Sequence, residues 1–152
     1  MQTQQAQTTN ADDTSVLLGA ILRSWSSDRE FGADFIRAHY INHPESLACT
    51  LAVDQCGTLL GFQSLKRVAA GNTYNVAPGW GVIGTYVGLD QARRGVGKAL
   101  FRKSLSVARS AGVSVIDATI SKANTGALAY YDAQGFRTYN ELPSAVQKRF
   151  DL

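Results

Sequence analysis

An α/β (α+β) domain on a mixed, mostly antiparallel sheet is the fold class this sequence predicts, on three observations. A largely apolar run, Gly84 to Leu89, feeds the glycine-rich stretch QARRGVGKAL (Gln91 to Leu100), which opens an amphipathic segment continuing to Ala111. That succession reads as strand, turn and helix. A dense β-branched segment, Val113 to Ile120, comes next, and helix followed by strand implies a right-handed crossover onto a parallel neighbour. Upstream, two strand-like runs flank a tight turn, as in an antiparallel hairpin. With 152 residues, 45% of them hydrophobic, the chain is long enough for one domain, residues 1–152, with a sizeable core.

The elements follow in order. Met1 to Asn10 is rich in Gln and Thr, and reads as a disordered tail or a polar edge strand. Asp12 or Asp13 caps a helix to about Trp25, with Val16, Leu17, Ala20 and Ile21 on one face. Ser27 and Glu30 have capping-box spacing and announce a second helix carrying Phe31, Phe35, Ile36 and Tyr40, which Pro44 ends. The connection from Trp25 to Phe31 is a place where an acceptor substrate could sit. From Leu47 to Asp54 the larger residues Leu47, Cys49, Leu51 and Val53 share the face expected to look inward. Gln55, Cys56 and Gly57 make the turn, and Thr58 to Val68 is the return strand. Ala69 to Gly79 is a loop. Trp80 to Leu89 is a strand holding Gly81, Gly84 and Gly88, which suggests a bulge or another backbone lying alongside. The helix after the loop buries Val96, Leu100, Leu105 and Val107 and ends at Gly112. Asp117, inside the following strand, reads as a structural hydrogen-bonding group rather than a catalytic one. Phe136 to Glu141 and Val146 to Leu152 form a closing antiparallel pair.

Composition narrows the function classes. A formal charge of +3 and a pI near 9.0 are mildly basic. No block of like charges appears and aromatics are not interleaved with the basic residues, so no nucleic-acid partner is expected. Cys49 and Cys56 stand in no metal or redox spacing and read as reduced thiols of a cytoplasmic protein. No signal peptide is apparent, and no run approaches the ~20 apolar residues of a membrane helix.

The chemistry concentrates in two stretches. In the first, Arg93, Arg94 and Lys98 put positive charge at a helix start, where unpaired N–H groups and the helix dipole favour an anion. Gly95 and Gly97 let backbone approach a ligand. A Walker loop would need Gly at position 92 and Ser or Thr at 99, where both residues are alanine; a dinucleotide fingerprint would need Gly or Ala at position 100, which is Leu100. The second stretch is NTGALAYYDAQGF, Asn124 to Phe136. Its helical spacing sets Tyr131 two turns beyond Asn124, with Gly135 placed to end the helix; Tyr130, about 100° around, reads as core or pocket lining.

Together these stretches resemble the GNAT superfamily of acyl-CoA-dependent N-acyltransferases. Arg93, Arg94, Gly95, Val96 and Gly97 fit its pyrophosphate loop, although the leading Arg or Gln position holds Ala92, with Gln91 one place early. Asn124, Tyr131, Gly135 and Phe136 fit its second signature without a gap. The texture, GTYV before the loop and ATISKAN after it, is similar to the branch containing phosphinothricin acetyltransferases. The resemblance covers roughly Leu47 to Phe150.

It implies a splayed sheet of six to seven strands with helices on both faces. It also implies acetyl-CoA as acyl donor, held by Arg93 to Lys98, by the backbone of Tyr86, Val87 and Gly88 on a bulged strand, and by Asn124. The implied reaction moves an acetyl group to a primary amine of a small molecule by direct attack in a ternary complex, with Tyr131 protonating the thiolate. No metal is implied; a homodimer is. Relatives often carry a glutamate base on the strand before the loop, and this strand has no carboxylate, which leaves a water chain, Asp117, Glu141, His39 or His43. The alternative is a non-catalytic acyl-CoA-binding or interaction module.

Overall fold

The computed structural model describes residues 1–152. Strand β1 (Gln2–Gln5) precedes helix α1 (Ala11–Ser24) and the short helix α2 (Ala33–Ile36), which widens into a π turn over Arg37–Ile41. Strands β2 (Ser46–Val53), β3 (Leu59–Arg67) and β4 (Gly81–Val87) lead to α3 (Val96–Ser110). Then come β5 (Val115–Ser121), α4 (Thr125–Gln134), β6 (Arg137–Glu141) and β7 (Ala145–Asp151). One sheet runs in the order β1-β2-β3-β4-β5-β7-β6, with β4–β5 its only parallel pair.

The predicted hairpin, crossover and closing pair are all present, and the polar N-terminus is an edge strand paired with β2 from Gln2↔Val53 to Gln5↔Thr50. Four expectations change. Ser27 and Glu30 start no helix: the Ser27 Oγ accepts the Arg29 N–H at 3.3 Å, and α2 begins only after Gly32. A short polar side chain has offered the backbone a turn instead of a helix. In β2 the smaller residues Ala48, Thr50 and Ala52 are as buried as Cys49 and Leu51, because helices cover both faces of the sheet. In α3 the buried stripe is Val96, Leu100, Phe101, Ser104 and Ala108, leaving Leu105 and Val107 half-buried. Finally, the β3–β4 register runs from Gly61↔Val87 to Arg67↔Gly81 without a shift, so no bulge interrupts that ladder. Gly81 serves packing, since a Cβ there would lie 3.1 Å from Leu65, whereas one on Gly84 would make only an ordinary contact with the Tyr86 ring at 3.4 Å.

Two cores flank the sheet. Leu18, Ile21 and Leu22 of α1 pack with Ile36, Tyr40, Leu51, Phe62 and Tyr86 on one face. On the other, Phe101 and Ala108 of α3 and Tyr131 of α4 pack with Leu65, Ile83, Ile116 and Ile120. β4 and β5 pair only at Gly81↔Ile116 and Val82↔Asp117. Beyond Val82 the strands part, and that opening positions the site.

Candidate active site

The parting of β4 from β5 makes a cleft of about 620 Å³, lined by Ile83 to Tyr86 and by Thr119 to Ser121. Asn124 to Ala127 and Tyr131 close it on the α4 side, and Ser24, Trp25, Ser27 and Arg29 on the α1 side. The connection Trp25 to Phe31 thus contributes to the cleft, as its sequence position suggested.

Strand alternation decides which backbone groups face the opening. The Gly88 N–H donates to the Leu60 carbonyl at 2.9 Å, and Tyr86 pairs with Phe62. Even-numbered residues of β4 therefore bond β3, while Ile83, Thr85 and Val87 turn their N–H and C=O toward the gap. This corrects the expectation for Tyr86 and Gly88, whose backbone groups are used inside the sheet. Val87 keeps its place on the free edge. Tyr86 still lines the cleft, by its side chain.

The loop ends with Arg93 at φ 64° and Gly95 at φ 80°, both left-handed, which aims the start of α3 outward. No side chain caps α3, so the N–H groups of Val96, Gly97 and Lys98 have no intrahelical or capping partner. Arg93, Arg94 and Lys98 are exposed and form no ion pair. Unpaired donors and free cations around one helix start suit a polyanion. Gly97 has a packing reason of its own: a Cβ there would stand 2.6 Å from the Tyr130 ring. The Tyr130 hydroxyl also donates to the Gly97 carbonyl at 2.8 Å. Glycine at 97 lets α3 and α4 meet.

Asn124 caps α4, its Oδ1 accepting the Ala127 N–H at 3.1 Å. Its Nδ2 remains unpaired at the cleft wall. Tyr131, 5% exposed, projects from α4 to the opening, and its hydroxyl lies 2.8 Å from Thr85 Oγ1. Burial holds this phenol above the usual tyrosine range, so it stays protonated at neutral pH.

A chain of hydroxyls and one amide leads up to the Tyr131 oxygen. Tyr130 has given its proton to Gly97, so its oxygen accepts from Gln63 Nε2 at 3.3 Å. The other Gln63 N–H goes to Thr85 Oγ1 at 2.8 Å. Thr85 Oγ1 thus stands between Gln63 and the Tyr131 hydroxyl, and in the second pair either oxygen can donate. A Tyr131 hydroxyl that turns its proton to the cleft keeps the Thr85 hydroxyl as a donor, as would a phenolate formed there.

The four base candidates do not reach this place. Asp117 is fully buried and accepts from Tyr139 Oη at 2.7 Å and Thr119 Oγ1 at 3.0 Å, the structural role expected of it. Glu141 pairs with Lys122 at 3.6 Å. His39 stacks on Phe35, and burial with Lys66 beside it lowers its pKa to about 4. His43 caps a turn through the Glu45 N–H. None of the four lines the cleft. Three contributors were missed in the sequence. Gln63 and Thr85 signal themselves only as polar residues in apolar strands, and Arg29 only as a cation in the connecting loop.

The shape is shared with known proteins. A GCN5-related N-acetyltransferase from Kribbella flavida superposes with a TM-score of 0.81 at 21% identity, covering 99% of this chain and 97% of that one. The yncA protein of Salmonella typhimurium, solved with its cofactor acetyl-CoA, gives 0.82 at 16% identity over 99% and 93%. The GNAT domain of S. lividans PAT gives 0.81 at 19% over 99% and 89%. A search of curated proteins finds no match to this sequence. The profile described as "Acetyltransferase (GNAT) family" matches residues 17–136, the loop and the second signature included. By that match the chain belongs to the GNAT acetyltransferase family.

Proposed function

We propose that the protein moves an acetyl group from acetyl-CoA to a primary amine of a small molecule, by direct attack in a ternary complex. The N–H groups and cations from Arg93 to Lys98 hold the pyrophosphate, and Asn124 Nδ2 and the free edge at Val87 hold the pantetheine arm. The amine nitrogen attacks the thioester carbon, the carbon–sulfur bond breaks, and Tyr131 gives its proton to the leaving thiolate. The amine's surplus proton leaves through water, since no carboxylate or imidazole lines the cleft. The unit that does this is the whole chain as one cytoplasmic domain, paired as a homodimer. Both cysteines are free thiols, and no helix is long and apolar enough to cross a membrane.

The observation that carries this reading is Tyr131: a buried phenol at the opened sheet edge, whose one hydroxyl partner, Thr85, can donate to it. Tyr131→Phe removes one hydroxyl and keeps the ring. CoA thiol release with a panel of amines should show kcat reduced about a hundredfold or more, with acetyl-CoA affinity by calorimetry unchanged. Full activity in Tyr131→Phe overturns the assignment. Acetyl-CoA binding without turnover on any amine would instead favour the non-catalytic module.

A further inference from the structure

Of the 17 residues lining the cleft, Arg29 alone carries a charge. Asp28 and Glu30 flank it in the chain, yet neither lies within ion-pair distance, and Arg29 has no carboxylate partner anywhere in the molecule. Its placement is nonetheless fixed. Nη2 donates to Tyr86 Oη at 3.0 Å and reaches Tyr40 Oη at 3.4 Å, and the two hydroxyls are 3.2 Å apart. Both tyrosines are buried, Tyr40 at 3% and Tyr86 at 8% exposure. A guanidinium has five N–H donors in a rigid fork, and the tyrosines occupy only those on Nη2, leaving Nε and Nη1 without a partner.

The fork also stands close to the reacting edge. Tyr86 Oη, which it holds, is 3.5 Å from where a Cβ on Gly84 would be, and Gly84 is on the cleft wall. On the same face of the sheet lies Lys66, whose Nζ is 5.7 Å over the Tyr40 ring and also has no carboxylate within ion-pair distance. A second ammonium group in this cleft would meet positive charge and no counter-ion. An oxyanion would meet a pre-oriented fork.

We propose that Arg29 is the acceptor-recognition residue, and that the acceptor is a primary amine bearing an oxyanion a few bonds from its nitrogen. Carboxylate and phosphonate share the required chemistry. The assignment rests on acetyl transfer to a primary amine and narrows which amine it is; a polyamine is the class it excludes.

The test compares the standard amino acids with their carboxamides, 3-aminopropylphosphonate with propylamine, and spermidine alone. CoA release gives kcat/KM for each, and saturation-transfer NMR on the CoA-loaded enzyme gives binding without turnover. Acids should be preferred over their uncharged counterparts by roughly 10- to 100-fold, as for a charge-assisted hydrogen bond. The amino acid and phosphonate arms tell which oxyanion is read. Arg29→Gln, which keeps an N–H for the tyrosine hydroxyls, should erase the preference, and Arg29→Lys should retain part of it. Equal use of carboxamides or spermidine overturns the proposal, as does a preference that survives Arg29→Gln. If nothing is acetylated but NMR shows acids bound by the wild type and not by Arg29→Gln, the recognition stands and the transfer reading falls. Absence of acid discrimination in both readouts removes the recognition itself.

Discussion

Thr85→Val exchanges the hydroxyl beside Tyr131 for a methyl group of similar shape. The Tyr131 hydroxyl then loses its Thr85 partner, and any phenolate formed there loses a hydroxyl able to donate to it. We expect kcat to fall about tenfold, less than in Tyr131→Phe, with unchanged acetyl-CoA affinity and with activity restored in Thr85→Ser. Steady-state kinetics and calorimetry on the three variants check this, and a Thr85→Val enzyme with normal kcat would break the link. At this scale the sequence was informative where function follows chain spacing. Asn124 and Tyr131 stand two helical turns apart, and both line the cleft. It was silent on Gln63 and Thr85, because their contact depends on β3–β4 register, which pairs residues 22 positions apart.

Among the elements, α3 yields the sharpest contrast. Gly97→Ala gains about 1 kcal/mol of helix propensity in isolation. Here the added methyl meets the Tyr130 ring at 2.6 Å, and overpacking of this kind costs about 1–3 kcal/mol. The variant should therefore melt lower than the wild type in a denaturant titration, the reverse of the propensity expectation. Arg94→Glu, exposed and unpaired, should leave the melt unchanged and weaken acetyl-CoA binding in calorimetry; the opposite pattern would move the anion site elsewhere. The long amphipathic α3 could be read from its period. The start of α2 could not, because Ser27 satisfied its own turn and Arg29 was drawn to two tyrosines contributed by distant elements.

For the molecule as a whole, the homodimer is the outstanding expectation. An apolar depression formed by Leu17, Ala20, Ile21 and Leu59, with Val16 72% and Leu89 59% exposed at its margin, is a surface that pairing could cover. Light scattering at high concentration should return twice the chain mass of 16.4 kDa; a monomer mass disposes of the pairing. Strand count and the placement of the long helices were legible in the sequence, whereas the order β5-β7-β6 was not, since no local pattern says which edge a last hairpin joins. The two-residue junction of β4 with β5 was equally unreadable, and it carries a further consequence. Backbone groups of Ile83, Thr85 and Val87 have no strand to answer them, so a ligand pairing with them would act as a missing piece of sheet. Filling the gap would stitch two halves of the molecule along a seam, and each turnover would unpick that seam to let the product go. A substitution that zipped β4 to β5 by further pairs would make a tougher protein and a slower one, with fold stability and product release opposed through the same few bonds.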